Sequence, residues 1–141
     1  MRSKAPLALM EQLVMVGVFA LAAALCVQVF VLSDRTSRQN EARDRALLAA
    51  QNAAETLKNC GGDYAQAAWM MGGAWNGSLW GVSYDENWAM AAADDAAYHL
   101  LVSPADSGQK LLGAADVTVY TAEGAWLCTL PVAWQEVDGN G

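Results

Sequence analysis

The sequence predicts an α+β fold: one long N-terminal helix, membrane-spanning in its first half, packed against a small antiparallel β-sheet. Three observations carry this expectation. No Pro interrupts the chain from Leu7 to Lys58, and Gly17 is the only Gly there. Leu13 to Leu32 is a run of twenty residues in which Gln28 is the only strongly polar side chain. At ~1.5 Å per helical residue such a run covers about 30 Å, the thickness of a bilayer's hydrocarbon core. After Lys58 the pattern changes to short alternating stretches between Gly, Asn and Asp clusters, as strands and tight turns require. Helix first and strands afterwards is an order in which the sheet covers one face of the helix.

Residues 1–6, MRSKAP, are a short basic leader ending in a Pro that a first helical turn tolerates. Residues 7–32 are the membrane half of the helix, and residues 33–58 continue it as an amphipathic half. There Ala42, Ala46, Ala49, Ala50, Ala53 and Leu57 recur at helical spacing, and Glu41 and Arg45 stand at i,i+4. A stripe of Ala permits close approach of a sheet; the coiled-coil alternative has too short a pattern to set a heptad. Asn59-Cys60-Gly61-Gly62 ends the helix with residues that tolerate the left-handed conformation.

Residues 59–141 form a small globular domain. Asp63 is the N-cap of a short helix over 64–71, stopped by Gly72-Gly73. A turn at Asn76-Gly77 leads to a strand over 79–84, and a turn at Asp85-Glu86-Asn87 to a second short strand from Trp88. Asp94-Asp95 begins a connection. A third strand over 97–102 is closed by Ser103-Pro104. Residues 111–120 and 125–134 alternate and face each other across Thr121–Gly124, the clearest hairpin in the chain. About four strands are expected, followed by a polar tail from Glu136.

Charge is unevenly placed. Beyond Leu32 there are six basic and fourteen acidic residues, so this part sits near −8 against −7 for the whole chain. That balance argues against nucleic acid as a partner. Orientation has two opposing signals. Arg35, Arg38, Arg43 and Arg45 after the span outnumber Arg2 and Lys4 before it, which favours a cytoplasmic C-terminus. A short basic tail followed at once by an apolar run instead marks an exported chain, and the domain is expected outside the cytoplasm. A cleavable secretory signal could use Ala22–Ala24. Acylation at Cys26 would place Leu25 where a small residue is required, and Glu11-Gln12 interrupts the apolar core that either signal needs.

Glu11 is the most informative single residue. A carboxylate near the start of an apolar run is costly unless it is paired or reaches the headgroups. It is either an interfacial Glu near Lys4 or a residue kept to meet a positive charge on a neighbouring subunit. The order of basic leader and then LALMEQLVMVGVFALAAAL resembles the start of type IV pilins and pseudopilins. In that family a prepilin peptidase cuts just before an apolar residue, and a Glu lies fifth in the mature helix. Aligning Glu11 with that Glu makes Leu7 the first mature residue and Pro6–Leu7 the candidate processing site. The residue before the cut is normally Gly, sometimes Ala, so Pro6 departs from the pattern and restricts the scissile segment. The resemblance covers about residues 5–58 and implies a helix that packs with those of other pilin-like subunits.

Catalytic and ligand chemistry finds no pattern. His99 lies alone in a strand, without metal-spaced partners or a nucleophile arrangement. Asp94-Asp95 and Asp85-Glu86-Asn87 lack the alternating series of a calcium loop and are turns. The six tryptophans could line a sugar- or peptide-binding face, but packing of a small core is the stronger expectation. No enzyme, cofactor, metal or small-molecule substrate is therefore expected. Cys60 and Cys128 are the only pair beyond the span; they form either one disulfide or two unrelated thiols. The leading expectation is a structural minor pilin or pseudopilin subunit of a type IV pilus-like or type II secretion-like assembly, with membrane lipid and other such subunits as partners. The alternative is a permanently anchored single-pass protein whose extracytoplasmic binding module does not polymerise.

Overall fold

The computed structural model describes residues 4–136; Arg2 of the basic leader and the tail beyond Glu136 lie outside them. The chain divides into two compact units, one through Asn40 and one from Glu41. Helix α1 (Ala5–Asn59) enters both, as a single α-helix without a break. It starts two residues before Leu7, so Pro6 stands in the first turn, where its missing N–H has no intrahelical partner to lose. In the first unit the large apolar side chains from Leu7 to Leu32 are all exposed. This is a helix long and apolar enough to cross a membrane, near the N-terminus.

The second unit holds the remainder of α1, a short helix α2 (Tyr64–Met70) and a five-stranded sheet. The strands are β1 (Ala74–Trp75), β2 (Trp80–Tyr84), β3 (Tyr98–Ala105), β4 (Leu112–Thr121) and β5 (Trp126–Gln135). They lie in chain order, each antiparallel to the next. Both helices end in the same way. Gly62 N–H donates to the Leu57 carbonyl and Gly61 N–H to that of Lys58, with Gly61 at φ 63°. Gly73 N–H donates to Ala68 and Gly72 N–H to Trp69, with Gly72 at φ 74°. These are Schellman caps, each satisfying two orphan carbonyls through a left-handed Gly, Gly61 in the first and Gly72 in the second. Asp63 caps the start of α2 by accepting from Gln66 N–H at 3.0 Å.

The core forms between α1 and one face of the sheet. Ala46, Ala50, Ala53 and Leu57 are fully buried together with Trp80, Leu100, Val102, Val117 and Val119. Small side chains on α1 leave the volume of the core to the large ones on the strands. The Glu41–Arg45 pair expected on the exposed side of the helix is present at 3.4 Å, an i,i+4 contact worth a few tenths of a kcal/mol.

Three expectations are corrected. The sheet has five strands; the addition is β1, two residues joined to β2 across a turn whose Asn76 side chain accepts from Ser78 and Leu79 N–H, both at 2.9 Å. No strand starts at Trp88. Asp85 holds residues 85–89 as a loop by accepting from Asn87 and Ala89 N–H at 2.8 and 2.9 Å, and only a single Tyr84–Met90 bridge follows. Finally, β3 runs through Pro104 to Ala105. Pairing with β2 ends at Trp80–Val102, so Pro104 sits where β3 has no neighbour on that side to bond its missing N–H. Pro131 stands likewise on β5, the outer strand, opposite Asp116.

Candidate functional site

The residues singled out in the sequence do not converge. Pro6, Leu7 and Glu11 lie on the first unit. The Pro6–Leu7 bond is in the first turn of α1. Glu11 shares one shallow surface depression with Lys4, Leu7, Ala8, Met10, Val14 and Met15. No ion pair joins Lys4 to Glu11, and among the described residues Glu11 has no charged partner. A carboxylate on an otherwise apolar helical surface is thus left to whatever surrounds that helix.

Of the two arrangements open to Cys60 and Cys128, one disulfide or two unrelated thiols, the structure has free thiols at both, as at Cys26. Gly62, two residues after Cys60, sits against the Trp134 indole, and Trp134 is six residues along β5 from Cys128. Cys60 instead places its sulfur 3.6 Å from that of Met70. Burial pushes the Cys128 thiol up, which lowers its thiolate fraction further. His99 stands in β3 with Nδ1 3.0 Å from Ser83 Oγ on β2, a cross-strand pair on the face away from α1. Asp94 and Asp95 lie in a single 3-10 turn, Ala93–Asp95.

The tryptophans separate into three kinds. Trp80 and Trp134 are in the core, with no hydrogen-bond partner for either indole N–H among the described residues. Trp75 and Trp88 are half-buried at its margin. Trp69 and Trp126 are exposed, at 80% and 56%. Trp88 is unusual in its backbone. It takes φ 63°, the one left-handed non-Gly residue among those described. Trp88 N–H donates to the Asp85 carbonyl, and Asp85 N–H to that of Ala89, closing a tight loop whose left-handed position normally falls to Gly. A Trp there costs on the order of 1–3 kcal/mol of strain. Stacking offsets it: the indole lies 4.2 Å from the Tyr98 ring at 13°, and 5.8 Å from the Tyr84 ring.

That aromatic group forms one wall of a groove of about 480 Å³ within the second unit. Tyr84 and Trp88 line it from the sheet side; Arg45, Leu48, Ala49, Gln51, Asn52 and Glu55 line it from α1. The Gln51 and Asn52 amides and the Glu55 carboxylate make no hydrogen bond to any described residue, so their donors and acceptors are available. The groove joins residues some thirty positions apart, which no local pattern could bring together.

Burial also pushes the Tyr84 phenol up from its ordinary value of 10.0; for Tyr64 burial does the same, with the Glu136 charge adding to it. A phenol raised in the fold favours folding while it is neutral. Its contribution is complete below pH ~10, the unfolded value, and is lost as pH rises through the higher folded value. The domain should therefore lose stability above about pH 10, and Tyr84→Phe should flatten that loss. Melting temperatures of parent and variant between pH 8 and 12 give the check; parallel curves would remove Tyr84 from the explanation.

Comparisons with protein-family models, with characterised proteins and with solved structures find no match for this chain.

Proposed function

We propose that the protein is a pilin-like structural subunit. Its N-terminal helix is stored in a membrane with the sheet domain outside the cytoplasm, and it packs with the helices of similar subunits in a type IV pilus-like or pseudopilus-like assembly. The observation that carries this reading is the unpaired Glu11 on an apolar, fully exposed helix that continues without a break into the core of a sheet domain. In such an assembly lipid and then neighbouring helices cover the apolar surface. Glu11 meets a positive charge at the head of the next subunit, the amine of Leu7 after a cut at Pro6–Leu7 or otherwise Lys4 or Arg2. In an apolar interior this pair selects register, because leaving either charge alone is severely penalised.

Glu11→Ala and Glu11→Gln should leave membrane insertion intact and lower co-purification with sheared surface filaments or cross-linked neighbours about tenfold or more, the equivalent of ~1.4 kcal/mol per contact. Equal recovery of parent and Glu11→Ala would sink the proposal. Mass spectrometry of the N-terminus from native membranes identifies which amine is present.

A further inference from the structure

We propose that the groove between α1 and the Trp88 loop is a binding site for a neutral glycan, with the Trp88 indole as its platform. Two independent observations meet there. The first is conformational: a loop that would be relaxed with Gly at residue 88 carries the largest side chain instead, at φ 63°, and the ring that results lines the groove. Tyr98 stacks at 4.2 Å against one face of the indole and fixes its plane. The second is chemical: the opposite wall presents Gln51, Asn52 and Glu55 without partners among the described residues. A pyranose ring has an apolar C–H face and a rim of hydroxyls. It can therefore lie on an aromatic plane while its edge bonds to amides and a carboxylate.

Competing ligands fit less well. Arg45 already pairs with Glu41 at 3.4 Å, and the strongly acidic domain around the groove repels anions. A peptide binds most economically by adding to a strand edge. Here the polar wall is a helix whose backbone bonds internally, so an extended peptide would find no main-chain partners. The volume of about 480 Å³ lies in the range of small-molecule sites, ~300–1,000 Å³, enough for a short stretch of sugar units.

The test uses the full chain in lipid nanodiscs, since glycoside detergents would compete. Chitohexaose and cellohexaose are titrated to about 10 mM while the six indole N–H resonances are followed. The resonance that Trp88→Gly removes should shift saturably. Trp88→Gly, which relieves the left-handed position, should weaken binding tenfold or more; Asn52→Ala, on the exposed side of α1, should weaken it several-fold with an unchanged melting temperature. If Trp88→Gly does not fold, Asn52→Ala alone decides. Absence of a saturable shift at Trp88 with both sugars, or parent-like affinity in the variants, would overturn the proposal. So would a shift produced only by a neutral hexapeptide, which would make the groove a peptide site.

Discussion

Trp80→Ala should destabilise the sheet domain by about 3–5 kcal/mol, the range for emptying the space of a buried large aromatic. Among the described residues Trp80 is the largest fully buried side chain, and it belongs to a cluster that joins the Ala positions of α1 to β2, β3 and β4. The facing helix surface is mostly Ala, which cannot reach into the gap. A domain of this size has only about 5–15 kcal/mol in total, so the variant should melt far below the parent or fail to fold. Trp80→Phe separates volume from polarity. It removes an indole N–H that has no partner among the described residues, so the loss of ring volume is partly offset by a buried donor no longer left unsatisfied. The expected order of melting temperature is parent close to Phe and both well above Ala. A loss under about 1 kcal/mol for Trp80→Ala would mean that this ring is not packed as the core requires.

The second large effect is expected at Gly62. A methyl group added there would overlap the Trp134 indole, and one added at Gly113 would overlap the same ring from β4. Trp134 is nearly buried, so the ring has nowhere to retreat. Gly113→Ala should therefore cost about 1–3 kcal/mol by overpacking. Gly62→Ala should cost more, about 2–4 kcal/mol, because Gly62 also sits at φ 86°, where a side chain is strained in any surroundings. Each variant should be much less harmful in a Trp134→Leu background, for Gly62→Ala down to the backbone part alone. Denaturation of the four chains in each cycle measures this. Additive losses would show that the indole and the glycines do not share space.

Legibility in the sequence followed the range of the interaction. Signals confined to a few residues were clear: Asp63 as a cap, the double-Gly helix ends, the Asp85 turn and the hairpin of β4 and β5. The Ala stripe also gave the buried face of α1, because periodicity reports burial without naming the partner. Trp88 was misleading since an aromatic after a turn favours a strand, whereas the Asp85 side chain held the loop one residue further and pushed Trp88 into a Gly position. Pro104 was misread as a terminator because its tolerance depends on where β2 stops, a fact of sheet topology. For Cys60 and Cys128 the count allows either a bridge or two separate thiols, because count carries no distance. The groove lay beyond reach altogether: its two walls are ordinary stretches of helix and loop until the fold brings them face to face.

The two outer strands also bear on how the domain behaves at high local concentration. An exposed β edge is a template onto which another chain can add, strand after strand. Here one margin, β1, is only two residues long. The other, β5, has ten residues and no charged side chain, yet Pro131 interrupts it near its middle. Any strand zipping along β5 would lose a bond there and meet a ring that does not fit a flat ladder. Crowded copies can therefore stand side by side without their sheets fusing into a continuous fibre.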